Sequence, residues 1–159
     1  MQHGTLTIRP DWRQFLIDEL PVILFAIVLY IIGGLDIPLS SLFFCAALAM
    51  TFHAYYRFVL LRGTSYVITA QQLIYERGVF SRNSDYIELY RVLDYDEKRS
   101  FMQMLLGLKT VCIHSGDRTT PRLDIIGVPE KMDIISILRE RVMYNRSRMN
   151  IHEFANYPS

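Results

Sequence analysis

Four histidines, two cysteines and one cluster of carboxylates are the side chains of this 159-residue sequence whose types can carry chemistry. His3, His53, His114 and His152 are scattered and share no ligand spacing. Cys112 and His114 are two apart, so a strand would put them on one face. A structural zinc site needs four ligands, so the pair reads as a buried thiol beside a half-exposed imidazole. No Ser, Thr or Cys has an evident base partner in the sequence, and Gly33-Gly34 makes no phosphate-cradling loop. Asp94, Asp96 and Glu97 are neighbouring acids, and Asp94 and Asp96 would project from one strand face. Paired acids can transfer protons or hold cations. With Lys98 and Arg99 directly after them, they read instead as a solvated strand face. The expectation is a non-enzymatic protein with no cofactor and no metal. Arg supplies 14 of the 17 basic residues, and its planar guanidinium suits bidentate contacts to carboxylate and phosphate.

The elements that would position these groups follow from the charge pattern. Seventeen basic residues face sixteen acidic ones, for a net charge of +1. That balance argues against the strongly basic domain of a dedicated nucleic-acid binder, so no nucleic-acid partner is expected. Between Glu19 and Arg57 the sole charge is Asp36. Leu20–Leu35 and Ile37–Tyr56 are uncharged runs. At 1.5 Å per residue the second covers about 30 Å, the hydrocarbon thickness of a bilayer, and the first, more apolar, about 24 Å. Gly33-Gly34-Leu35-Asp36-Ile37-Pro38 between them has the composition of a tight turn. Continuous rather than striped apolar character argues against a core helix pair in a soluble protein. Asp18 and Glu19, in place of a basic stretch, argue against a signal peptide. The reading is a two-helix transmembrane hairpin over residues 20–61. Arg9 and Arg13 precede it and Arg57 and Arg62 follow, which by the positive-inside rule puts both termini in the cytoplasm. Cys45 and Cys112 would there be free thiols.

Residues 1–19 read as an N-terminal arm and a short interfacial helix, with Trp12, Phe15, Leu16 and Leu20 at helical spacing and Trp12 at headgroup level. Pro21 is expected to kink or restart the helix. In the second span Ser41, Cys45, Ala49 and His53 recur every four residues, a small-residue face suited to packing against a neighbouring helix. His53 ends that stripe near the cytoplasmic end, within reach of a hydrogen bond across the hairpin or of the headgroups. Trp12, Arg13, Arg57 and Arg62 are the expected contacts to lipid headgroups.

From Ser65 the texture changes to short β-type segments. Strands are expected at Ser65–Ala70, Leu73–Arg77 continuing past Gly78 into Val79–Arg82, Tyr86–Leu89, Val92–Arg99, Lys109–His114 and Leu123–Ile126. Turns fall at Gln71-Gln72, at Asn83-Ser84-Asp85 and at Ser115–Arg118, and a short helical turn at Ser100–Leu106 ends at Gly107. On the longest strand Val92, Asp94, Asp96 and Lys98 would face one way. Pro129 is expected to start a helix over Glu130–Arg146, with Ile134, Ile135, Leu138, Val142 and Met132 as its apolar stripe. Arg139, Arg141, Arg146 and Arg148 gather near its C-terminal end, where they suit the helix dipole. The closing helix would cover an open end of a small β-barrel or sandwich. Residues 149–159 read as a mobile tail.

Residues Tyr66 to Arg141 resemble the bacterial pleckstrin-homology-like domain of the second type. The matching residues are Tyr66-x-Ile68-Thr69, Leu73-Ile74, Arg77-Gly78-Val79-Phe80, Ile87-x-Leu89-x-Arg91-Val92 and Leu106-Gly107-x-x-x-Val111-x-Ile113. The resemblance implies a seven-stranded bent sheet capped by a C-terminal helix, frequently preceded by two transmembrane helices, and a bacterial inner-membrane location. It implies no activity. Where eukaryotic relatives carry phosphoinositide-binding basic residues, the first turn here is Thr69-Ala70-Gln71-Gln72, without Lys or Arg. The fold expected is thus an α+β membrane protein: a hairpin of two transmembrane helices, then a PH-like antiparallel β-barrel or sandwich over residues 62–148 with a C-terminal helical cap. The function expected is a membrane-anchored interaction module at the cytoplasmic face. Its partners would be membrane lipids and a protein, or a second copy of itself. Two alternatives remain: a small accessory subunit of a larger membrane complex, or a transport or enzyme component using His53 or Asp94/Asp96.

Overall fold

The computed structural model describes residues 4–149. The mobile tail expected from residue 149 onward lies, beyond Met149 itself, outside the described residues. The first element lies in the segment whose sequence reads as an arm. Leu6–Ile8 forms strand β1 and pairs antiparallel with Ser65–Ile68 (β2), Ile8 opposite Tyr66 and Leu6 opposite Ile68. What reads as an arm is therefore part of the β-sheet, and both long helices are inserted between two adjacent strands.

Helix α1 spans Trp12–Gly33. Its start is fixed by Asp11, whose carboxylate accepts the Arg13 backbone N–H at 2.9 Å, the usual role of Asp at an N-cap. The expected restart at Pro21 does not occur; Trp12–Glu19 and the apolar run form one helix. A proline removes a single backbone hydrogen bond, and the helix continues through it. After the turn, α2 spans Ser40–Arg62 and runs back along α1. Near the turn Gly33 lies against the Phe44 backbone, where an added Cβ would stand 2.8 Å from the Phe44 nitrogen. The Tyr30 and Phe44 rings meet edge to face at 5.4 Å, and Phe15 and Phe58 do so at 5.2 Å near the other end. Tyr30 Oη and Thr51 Oγ1 share a 3.0 Å hydrogen bond.

The remaining strands are β3 (Gln72–Arg77), β4 (Asn83–Glu88), β5 (Val92–Lys98), β6 (Leu108–Ser115) and β7 (Arg122–Pro129). They make two antiparallel sheets, β1-β2-β3-β4 and β5-β6-β7. No ladder joins β4 to β5 or β1 to β7, so the seven strands form an open two-sheet arrangement and the closed-barrel alternative is corrected. Tyr66, Ile68, Leu73, Ile87 and Leu89 from the first sheet side meet Val92, Val111, Ile113 and Ile125 from the second in one core.

Two expectations in the strands are reversed. Val79–Arg82 is the connection and Asn83-Ser84-Asp85 is strand, opposite Arg77, Glu76 and Tyr75. Turn-forming residue types lose there to register, because Ile87 must sit opposite Leu73 in the core. In β5 the register shifts between Val92 and Asp94. The bulge puts Val92 and Tyr95 inward, so Val92 does not share the outer face of Asp94 and Asp96.

Helix α3 spans Phe101–Leu106, opened by a capping box between Ser100 and Gln103 and closed by Gly107 at φ 65°. Helix α4 spans Ile134–Arg148, four residues later than expected. Pro129 ends β7, and Asp133 supplies the cap by accepting the Ser136 N–H at 3.1 Å. Met132 consequently lies outside the helix. Ile134, Leu138 and Val142 are buried in the core as expected. Arg141 does more than complement a dipole. It is buried and donates to the carbonyls of Ile68, Thr69 and Gly4, tying α4 to the ends of β1 and β2.

Candidate functional site at the root of the helix pair

The helix pair joins the β-domain at one end, and its polar groups collect there. Glu19 of α1 has a side chain only 6% exposed. A buried carboxylate needs a partner, and Arg57 of α2 donates Nε to its Oε1 at 2.8 Å. His53, one turn earlier on α2, places Nε2 4.0 Å from the other oxygen. His53 thus faces Glu19 across the hairpin, at a separation too long for the hydrogen bond expected of it. In the sequence Glu19 only bounds the first apolar run. The available signal was an acid and an Arg bounding the two runs at the same end of an antiparallel hairpin.

The β-domain closes around this pair. Asp11 donates its N–H to the Gly127 carbonyl at 2.9 Å. Gln14 bonds Asp18 at 2.8 Å and accepts from buried Gln103 at 2.9 Å, and Gln103 also reaches Thr110 of β6. Arg13 chelates Asp11 and donates Nη1 to the Leu106 carbonyl at 2.8 Å. Its hydrogen bond holds the Asp11 carboxyl below the usual carboxylate range. A cavity of about 340 Å³ remains between Asp18, Glu19 and Arg57 on the helices and Tyr75 and Arg77 on β3. A second, of about 600 Å³, continues from Tyr75 and Arg77 to Tyr56 and the Gly78–Ser81 loop.

The other sequence-derived residues fall into three places. Trp12 and Arg13 open α1 and Arg62 closes α2, so with Arg57 they share the domain-proximal end of the hairpin. Trp12 and Arg62 are exposed, while Arg13 and Arg57 already bond within the protein. Ser41, Cys45, Ala49 and His53 are all exposed on α2. The face of α2 turned toward α1 instead carries Ala47, Thr51 and Phe58.

On the second sheet, His114 Nε2 lies 3.1 Å from Asp96 Oδ2, joining two groups that the sequence considered separately. The pair sits on the surface. Cys112 is buried, and its thiol is pushed up by burial, with Asp124 beside it adding to the effect. A raised thiol is a poor nucleophile at neutral pH. Glu97 is drawn down by the Arg99 hydrogen bond and then by Lys109. Arg91, one of the residues that carry the family resemblance, forms a salt bridge of 3.6 Å with Asp117. Among the described residues no three His, Cys, Asp or Glu side chains converge as metal ligands. The arrangement at the hairpin root can fix the domain to the helices and hold polar groups against an apolar surface; it presents no activated nucleophile.

The sequence pattern of the bacterial PH domain family matches residues 19–142, helices included. The chain belongs to the bacterial PH domain family. Neither a curated protein nor a solved structure matches it. Membership agrees with the two-sheet, helix-capped β-domain, and the matched span begins at Glu19, the residue that pairs with Arg57.

Proposed function

We propose that the chain is a non-enzymatic, membrane-anchored interaction module, with its PH-like domain held at the cytoplasmic face of a bacterial inner membrane by a two-span hairpin. One observation carries this reading. Two helices long and apolar enough to cross a membrane leave from β1 and return into β2. Along them Leu24, Phe25, Ile27, Val28, Ile31, Leu42, Phe44, Leu48 and Phe52 face outward. A soluble protein does not leave so large an apolar surface bare. With only two residues between α2 and β2, the domain has little freedom to swing on its anchor. It is presented to partners in one orientation.

Membrane lipids would surround the hairpin, with Trp12 and Arg62 at the headgroups and Arg13 and Arg57 shared between headgroups and their internal acids. A protein partner, or a second copy, would use a sheet edge. Strand β4 ends the first sheet with Asn83–Tyr86 exposed, the geometry for strand addition. A second reading, a small accessory subunit of a larger membrane complex, is favoured by the Ser41-Cys45-Ala49-His53 stripe: all four residues are exposed, and Ser41, Cys45 and Ala49 are open to another chain's helix, while His53 turns to Glu19. Replacing Ala49 with Leu should then displace a co-purifying membrane protein.

The test is extraction and topology of the intact protein. It should stay in vesicles through alkaline carbonate washing. A phosphatase fused at Asp36 should be active outside, and a fluorescent reporter after Ser159 should mature inside. Release by carbonate, or the opposite reporter pattern, overturns the anchored reading.

A further inference from the structure

Helix α3 is built inside out. Its sequence is Phe101-Met102-Gln103-Met104-Leu105-Leu106, and the residue it buries is the polar one, Gln103. Gln103 turns inward to Gln14 and Thr110. Phe101 is 69% exposed, Met104 57% and Leu105 71%, and Met102 is exposed beside them. Polar side chains face the environment when the environment is water. Here the polarity is inverted, so the outer neighbour of α3 is apolar.

Where α3 sits says what that neighbour is. Arg13 and Gln14 in the first turn of α1 bond it directly, at the Leu106 carbonyl and at Gln103. On α1 the outward apolar stripe begins at the same level, with Trp12, Leu16, Leu20, Leu24 and Val28 all exposed at i, i+4 spacing. From Gln14 to Leu20, the start of the uncharged run, the helix rises about 9 Å, within reach of the headgroup layer that borders the hydrocarbon. Charge supplies a second observation. The chain has three lysines, Lys98, Lys109 and Lys131, and all three border α3. Lys98 stands three residues before Phe101, Lys109 two residues after Gly107, and Lys131 lies in the turn whose Glu130 N–H bonds the Gly107 carbonyl. Lys109 is buried on Glu97, whereas Lys98 and Lys131 are exposed. Arg99 on the same border is ion-paired with Glu97 and Glu130, which leaves Lys98 and Lys131 as the exposed amines beside the apolar face, placed as in an element lying in a bilayer interface with its charges at the anionic headgroups.

We propose that α3 is a second membrane contact: Phe101, Met102, Met104 and Leu105 insert among the lipids beside Trp12, with Lys98 and Lys131 at the headgroups. This rests on the anchored reading above. The β-domain is then seated on the bilayer at two points, the hairpin and α3, and its tilt is fixed.

The experiment uses the full chain with Cys45→Ala, buried Cys112 retained, in vesicles of phosphatidylethanolamine and phosphatidylglycerol. A bimane fluorophore is attached at Leu105→Cys, at Phe101→Cys, at Leu24→Cys on the hairpin, or at Leu93→Cys on the exposed surface of β5. Expected is loss of emission at Leu105, Phe101 and Leu24 when the lipids carry brominated acyl chains, with protection from aqueous iodide. Leu93 should show the reverse. If Leu24 is quenched by brominated lipid while Leu105 and Phe101 are quenched by iodide, the proposal fails and the anchored reading stands. If Leu24 is quenched by iodide, both fail. Protection of Leu105 and Phe101 from both quenchers means that a second copy or another protein covers α3, which also overturns the lipid assignment.

Discussion

Ile8 and Tyr66 stand opposite each other in adjacent antiparallel strands, although the whole helix pair lies between them in the chain. Both are buried in the core that the two sheets and α4 share. The helices are thus a loop insertion in topological terms, and the β-domain does not begin where they end.

That relationship predicts how the domain can be freed. Joining Ile8 to Tyr66 through Asn-Gly, a two-residue turn suited to a hairpin, should yield a β-domain that unfolds cooperatively in thermal circular dichroism. Deleting residues 1–61 instead removes β1 and uncovers the β2 edge. Losing the burial of Ile8 alone should lower its stability by about 2 kcal/mol relative to the joined chain. Equal melting temperatures for the two would contradict the place of β1 in the core.

The Glu19–Arg57 pair predicts an asymmetry. Arg57→Ala strands a buried carboxylate and should destabilise the full chain in detergent by about 2 kcal/mol, whereas Glu19→Leu with Arg57→Leu should recover most of the loss because neither charge is left alone. The check is the midpoint of unfolding in mixed micelles. A double variant as unstable as Arg57→Ala would show that the pair is not the relevant contact.

Glu97 predicts an acid limb. The Arg99 hydrogen bond, with Lys109 second, holds its folded pKa below the unfolded value. The stability it supplies is present above the unfolded pKa of about 4.3 and is lost as pH falls through the lower folded value. Glu97→Gln should cost about 0.5–1 kcal/mol at pH 7 and make the melting temperature fall less steeply below that point. A parallel decline in both proteins would remove Glu97 as a contributor.

Much of this was legible in the sequence where one local rule ruled alone. The two uncharged runs gave helices, the apolar residues of Ser100–Leu106 and Gly107 marked α3, and Ile134, Leu138 and Val142 marked the buried stripe of α4. Legibility failed where two rules competed. Asn83-Ser84-Asp85 has turn chemistry but continues β4, because pairing with β3 outweighs local preference. Pro129 has the chemistry of a helix start but closes β7, and Asp133 takes the capping role. Strand β1 offered only the alternation of Thr5-Leu6-Thr7-Ile8, too short to separate from an arm.

The site was half legible for the same reason. Residue types placed Arg57 and His53 at the end of an apolar helix; nothing local joined them to Glu19 or brought His114 to Asp96. Composition and periodicity by themselves determined two long apolar helices, a β-rich remainder and an amphipathic closing helix, since each depends on neighbours a few residues apart. The tertiary structure alone decided that the helices are inserted between paired strands, that Gln103 points in while Leu105 points out, and that Arg141 joins three distant carbonyls. Those outcomes depend on contacts between segments far apart in the chain, and no local pattern of residues encodes which distant segment will arrive.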